Sequence, residues 1–150
     1  MLKKEIADAL TALKEIKMPK IEDKELRSAL IANHFTLLDA GRKVDAQVED
    51  KRTVFTEAYK EEAQVIQDLQ NKFNESEDAE ERKSIAKDIN SHKDYLKAIN
   101  DFNEEVNKLY AEKVPGLKPI DHEKFMAEAE KMDNFKLSWV EALYPMFVLE

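Results

Sequence analysis

Asn74-Glu75-Ser76-Glu77-Asp78 is the stretch on which the fold turns. On its N-terminal side, apolar or aromatic residues fall at Val44, Val48, Phe55, Tyr59, Ile66, Leu69 and Phe73. On its C-terminal side they fall at Ile85, Ile89, Leu96, Ile99, Phe102, Val106 and Leu109. Steps of three, four or seven residues mark one face of a helix. Between the stripes stand Glu, Lys, Asp, Gln and Asn, which suit a solvated helix surface. No Gly or Pro occurs from Val44 to Val114, so the polar run is the only expected interruption. Ser76 or Asp78 suits an N-cap, and Glu80 and Glu81 then sit in a first turn, where the helix dipole favours negative charge. The spacing therefore predicts a long antiparallel, coiled-coil-like hairpin over residues 44–109, turning near 74–78. Each arm would have about 30 residues and run roughly 45 Å. Folding the chain at the turn sets Phe55 opposite Ile99 and Val44 opposite Leu109.

The flanking segments read as a compact helical head, residues 1–43 with 110–150. Leu2, Ile6, Leu10, Leu13 and Ile16 stripe a first helix, ended by Met18-Pro19, since the residue before Pro avoids helical angles. A second helix starts near Glu22-Asp23. Its apolar residues Leu26, Ala29, Leu30, Ile31, Phe35, Leu37 and Leu38 cover an arc broad enough for several partners. Gly41 permits either a bend or a continuous helix. Val114-Pro115-Gly116-Leu117-Lys118-Pro119 is a break. Asp121 caps a short helix bearing Phe125, Met126, Ala129 and Met132, closed by Asp133-Asn134. Ser138-Trp139-Val140-Glu141 fits a capping box before the apolar tail Trp139–Leu149, whose Pro145 interrupts its helix and which is expected to be buried against the first helix and Leu26–Leu38. The class expected is all-α, in one helical domain.

Composition narrows the function. The 150 residues include two Gly, four Pro and no Cys, and 37% are charged. That argues against a β-rich or Gly-looped fold, a disulfide framework and thiolate chemistry. No apolar run approaches the ~20 residues that span a bilayer, and Met1 to Asp8 is unlike a secretory signal, so a cytoplasmic, membrane-free protein is expected. The formal net charge is −8. Residues 45–112 hold 18 Asp or Glu against 10 Lys or Arg, and the rest of the chain balances. An acidic hairpin repels phosphate and attracts a basic protein surface, so no direct nucleic-acid binding is expected. The candidate contact residues are Glu61, Glu62, Asp68, Glu75, Glu77, Asp78, Glu80 and Glu81.

Chemistry is not evident in the sequence. Of the three histidines, none has Glu three positions before it, the spacing of a bundle di-iron site; Ile31, Ile89 and Pro119 stand there instead. His122-Glu123 lacks the second His of a zinc-protease helix, because Met126 occupies its place. His92 falls in the second stripe and reads as a seam residue. Phe35, Phe55, Tyr59, Phe73, Tyr95 and Phe102 have helical spacing and read as core rather than as base-stacking aromatics. Adjacent carboxylates such as Glu61-Glu62 point different ways around a helix and do not make an acid–base pair. No catalytic, cofactor or metal residue is expected, and the chain does not read as an enzyme.

Two resemblances bear on function. Lys17-Met18-Pro19, with Leu137-Ser138 and Leu143-Tyr144-Pro145-Met146 in the tail, resembles the two ends of small phage-encoded helical proteins. A short, acidic, Cys-free helical chain is also similar in type to anti-CRISPR proteins and other phage inhibitors of nucleic-acid enzymes. That resemblance implies an inhibitor of a DNA- or RNA-targeting nuclease, working in the host cytoplasm, whose acidic surface occupies a basic channel. The alternative is a structural role, as a virion-assembly or coiled-coil scaffold protein, with self-association through the hairpin or the tail.

Overall fold

A computed structural model describes residues 1–148. It is mainly α-helical, as the periodicity predicts. The elements in order are α1 (Ile6–Glu15), α2 (Lys24–Ala58), α3 (Lys60–Glu75), α4 (Ala79–Ser91), α5 (Lys93–Tyr110), β1 (Ile120–Asp121), α6 (His122–Ala129), α7 (Leu137–Leu143) and β2 (Phe147–Val148). The chain forms two compact units, Met1–Ala46 with Leu109–Glu150, and Gln47–Lys108. Helix α2 contributes residues to both.

The first unit owns the larger core. Trp139, Phe125, Leu13, Ile21, Leu30, Leu37, Ile120 and Leu143 are its largest fully buried apolar side chains. Helix α1 buries Ile6, Ala9, Ala12 and Leu13, and it packs on α7. It ends at Glu15, four residues before Pro19. Ile16 turns extended, and Met18-Pro19-Lys20 forms a 3-10 turn. Helix α2 begins with Asp23, whose carboxylate accepts the Leu26 N–H at 2.9 Å. Glu128 of α6 accepts the N–H groups of Glu22 and Asp23 at 3.2 and 3.3 Å. Side chains from two places in the sequence thus satisfy donors that a helix start leaves open. Asp121 caps α6 by accepting the Lys124 N–H at 2.9 Å. Helix α2 passes through Gly41 unbroken, where an added Cβ would meet Ile6 at 3.5 Å.

Three features depart from the sequence reading. The apolar arc of α2 is narrower than predicted. Leu26, Leu30, Asn33 and Leu37 are buried in one stripe, while Ile31 is exposed and Phe35 is 67% exposed. A polar residue takes the central place because it has a partner in the Pro-Gly break. Asn33 Nδ2 donates to the Lys118 carbonyl at 2.9 Å, and its Oδ1 accepts the Lys118 N–H at 2.6 Å. One amide thereby pairs both backbone groups of a residue outside any ladder. Second, Ser138 caps nothing. Helix α7 starts one residue earlier, at Leu137, with Lys136 at its N-cap and no side-chain cap bond. Third, the tail is not all core. Trp139, Leu143 and Met146 are buried and Tyr144 and Val148 are exposed, because Pro145 converts the helix into a 3-10 turn and then a strand. That strand, β2, pairs parallel with β1, Phe147 beside Ile120 and Val148 beside Asp121. Leu149 lies outside the described residues.

The second unit is two layers of helix and nothing more. Ser76–Asp78 connects α3 to α4, and a connection that short makes its helices antiparallel neighbours. The arms are not the two unbroken helices predicted. The first breaks at Tyr59, with φ −120° and ψ 21°, and the second at His92, with φ −80° and ψ 57°. At the second break the Ser91 hydroxyl donates to the Asp88 carbonyl at 2.6 Å, a local bond that competes with the helix ladder. His92 N–H reaches back only to Ile89, at 3.2 Å. His92 is half-buried along the seam, as its spacing suggests, and it is also the joint of the arm; Tyr95 is buried more fully than Leu96.

Replacing Asn33 by Ala strands the Lys118 N–H and carbonyl next to the core. It should lower unfolding free energy by about 1–3 kcal/mol, given two lost, partly buried hydrogen bonds. Urea unfolding followed by Trp139 fluorescence measures this, and a loss below about 0.5 kcal/mol would show that the pairing is replaceable by water.

Candidate functional site

The turn of the second unit is built from its own polar residues. Asp78 is the N-cap of α4 and accepts the Glu80 N–H at 2.9 Å. Ser76 is buried, and its hydroxyl donates to Glu81 Oε2 at 2.9 Å. Arg82 Nε donates to the Ser76 carbonyl at 2.6 Å, and its guanidinium lies 5.4 Å from the Phe73 ring centre. The one arginine of this region is thus drawn onto the turn backbone and an aromatic face. Lys83 is 3.5 Å from Glu80, an exposed pair of adjacent helix turns. Glu75, Glu77, Asp78, Glu80 and Glu81 are all exposed, so five carboxylates within seven residues face water here. Their mutual repulsion is tolerable only because solvent and salt screen it.

The eight candidate residues do not form one patch. Glu61 and Glu62 stand in the first turn of α3, beside the break at Tyr59. Glu75 closes the same helix, about 20 Å away at 1.5 Å per residue. Glu61 is exposed and Glu62 half-buried. Asp68 lies between and accepts from Gln64 Nε2 at 3.0 Å. The structure therefore gathers Glu75 to Glu81 and leaves Glu61, Glu62 and Asp68 strung along α3.

Four of the aromatics read as core gather at the level of the two helix breaks, and sequence reasoning missed the groove beside them. Phe55 sits 5.1 Å from Tyr59, 5.2 Å from Phe102 and 6.2 Å from Tyr95, and Tyr59 is 5.7 Å from Tyr95, ring centre to ring centre. Tilted rings at such separations attract one another beyond the area they bury. Four aromatics over so short a stretch of two antiparallel helices were the available signal. Alongside them an open groove of about 490 Å³ is lined by Val54, Phe55, Ala58, Tyr59, Ala98 and Phe102. Asp50, Asp101 and Glu105 also line it, with Lys51 reaching Glu105 at 3.1 Å.

The first unit holds a cleft of about 400 Å³ between α1 and α7, lined by Glu5, Asp8, Glu15, Lys136, Trp139 and Glu141 among others. Glu15 is fully engaged there. Its carboxylate accepts Trp139 Nε1 at 2.7 Å and Lys136 Nζ at 2.9 Å, and its carbonyl accepts Asn134 Nδ2 at 2.9 Å. The Trp139 N–H, then the Lys136 ammonium, hold the Glu15 carboxyl below the ordinary glutamate value. It is a structural acceptor rather than a proton donor near neutral pH. Asp133 is lowered likewise, by its bond and attraction to Lys17.

Among the described residues no group of three or more His, Asp or Glu is placed to hold a metal ion. No described helix is long and apolar enough to cross a membrane. Comparison with protein-family models, with curated proteins and with solved structures found no match.

A depressed Glu15 value contributes stability that is present above the unfolded glutamate pKa and is lost as pH falls through the folded one. Glu15→Gln should therefore be less stable than the parent at pH 7, and its deficit should shrink between about pH 5 and pH 3. Thermal midpoints across that range test the sign. Parallel curves for the two proteins would contradict the assigned role.

Proposed function

We propose that this chain is a non-catalytic binding protein that uses the acidic turn of its hairpin to occupy a basic surface. The partner class we favour is a nucleic-acid-handling host defence enzyme, a DNA- or RNA-targeting nuclease, inhibited as phage-encoded anti-CRISPR proteins inhibit theirs. One observation carries the reading. The five carboxylates from Glu75 to Glu81 are all exposed on one turn, where Arg82 lies against Phe73 and the Ser76 carbonyl and Lys83 stands beside Glu80, so acidic groups outnumber basic ones there. A surface needed only for solubility gains from balanced signs, whereas an excess of one sign steers an oppositely charged partner. A channel that binds nucleic acid carries the complementary charge.

A scaffold role has one observation in its favour. Leu137, Tyr144 and Val148 of the C-terminal segment are large, apolar and exposed. Light scattering between low and high micromolar protein distinguishes the two, since the scaffold reading requires a mass that rises with concentration and the inhibitor reading a constant one.

The triple reversal Glu75→Lys, Glu77→Lys and Glu80→Lys removes the field while sparing Asp78 and Glu81, which hold the turn. All three side chains are exposed, so far-UV circular dichroism should match the parent. Tagged parent protein should recover a nucleic-acid enzyme from host lysate after nuclease treatment, and the variant's affinity for it should be weaker by about tenfold or more. Equal recovery by the variant would refute the acidic-turn mechanism.

A further inference from the structure

We infer that the groove beside the helix breaks is a second contact site, and that it takes a basic amphipathic helix of a protein partner. The inference rests on the binding role proposed above, but on a different surface. Val54 is 69% exposed although it lies mid-helix in the smaller unit, where apolar side chains are scarce. It is not isolated. Ala58 follows four residues on, and Ala98 of α5 lines the same groove with Phe55, Tyr59 and Phe102. Small residues at Ala58 and Ala98 flank the aromatics and let another backbone approach. Asp50 to Tyr59 is ten residues, about 14 Å of helix, which matches two to three turns of a helix lying alongside. Such a helix presents apolar anchors at spacings of three and four residues.

Charge selects the occupant. The acidic lining of the groove is Asp50, Asp101 and Glu105, and the only cation in it, Lys51, is paired with Glu105. Residues 47–108 hold 16 Asp or Glu against 10 Lys or Arg, so a second copy of this chain would bring like charge to that lining. A helix with Leu-like anchors flanked by Lys or Arg meets both the apolar and the acidic lining. The groove also differs in kind from the turn, which offers charge without an apolar lining. A partner touching both would gain steering from one and residence from the other.

The test uses isotope-labelled full-length protein and two synthetic 18-residue peptides of one Leu/Lys composition, one patterned as an amphipathic helix and one scrambled. The patterned peptide should shift the amides of Val54, Ala58, Ala98 and Phe102 saturably, and the scrambled one should bind at least about tenfold more weakly. Val54→Lys, an exposed substitution that leaves the helix intact, should weaken the patterned peptide by about tenfold or more, and the triple reversal at the turn by less than about threefold. Equal binding of both peptides, shifts confined to residues 75–81, or concentration-dependent shifts at Val54 without peptide would each overturn the inference. If the turn variant loses the lysate partner while the peptide ignores the groove, only this inference fails. If the peptide occupies the groove while the turn variant still captures its partner, only the acidic-turn reading fails.

Discussion

A pair of helices has no interior except the line along which it touches. That constraint shapes the smaller unit. Val48, Ile66, Ile85 and Tyr95 are its buried apolar residues, while the rest of the seam is half-exposed. Burial there is thin, so shape-specific contacts between large rings carry more of the work. Phe55, Tyr59, Tyr95 and Phe102 supply them at the middle of the arms, and Arg82 on Phe73 supplies one near the turn. Everything outside the seam faces water, which is why the acidic excess can gather there without burying a charge.

The breaks at Tyr59 and His92 follow from the same constraint. An unbroken heptad pattern would place Tyr59 and Leu96 on the seam by spacing alone. The joint instead lets Tyr95 pack against both Phe55 and Tyr59. Asn90-Ser91-His92 are weak helix formers, and the Ser91 hydroxyl bonds backward to Asp88. Little helix propensity is lost by breaking the arm there, and a packed ring is gained.

Much of this architecture was legible in sequence, because helical periodicity and cap chemistry are local. The polar run at 74–78, Asp78 as a cap and Asp121 as a cap each follow from a few neighbouring residues. What could not be read depends on partners distant in the chain. Asn33 looked like a gap in an apolar arc until Lys118 arrived beside it. Glu128 closes a helix start about a hundred residues upstream, and Glu15 binds both Lys136 and Trp139 from the far end of the chain. The site was legible only in part. Net charge located the acidic segment, but one-dimensional charge counting could not separate Glu75–Glu81 from Glu61 and Glu62, nor show Arg82 laid on Phe73.

Electrostatic attraction is the proposed source of partner binding. Its most direct measure is the affinity between this protein and a nucleic-acid enzyme of the proposed class, titrated calorimetrically at low and high ionic strength. The expected affinity falls by about tenfold or more between 50 mM and 500 mM salt, as the Debye length shrinks from about 14 Å to about 4 Å. An affinity indifferent to salt over that range would contradict it and place the binding energy elsewhere.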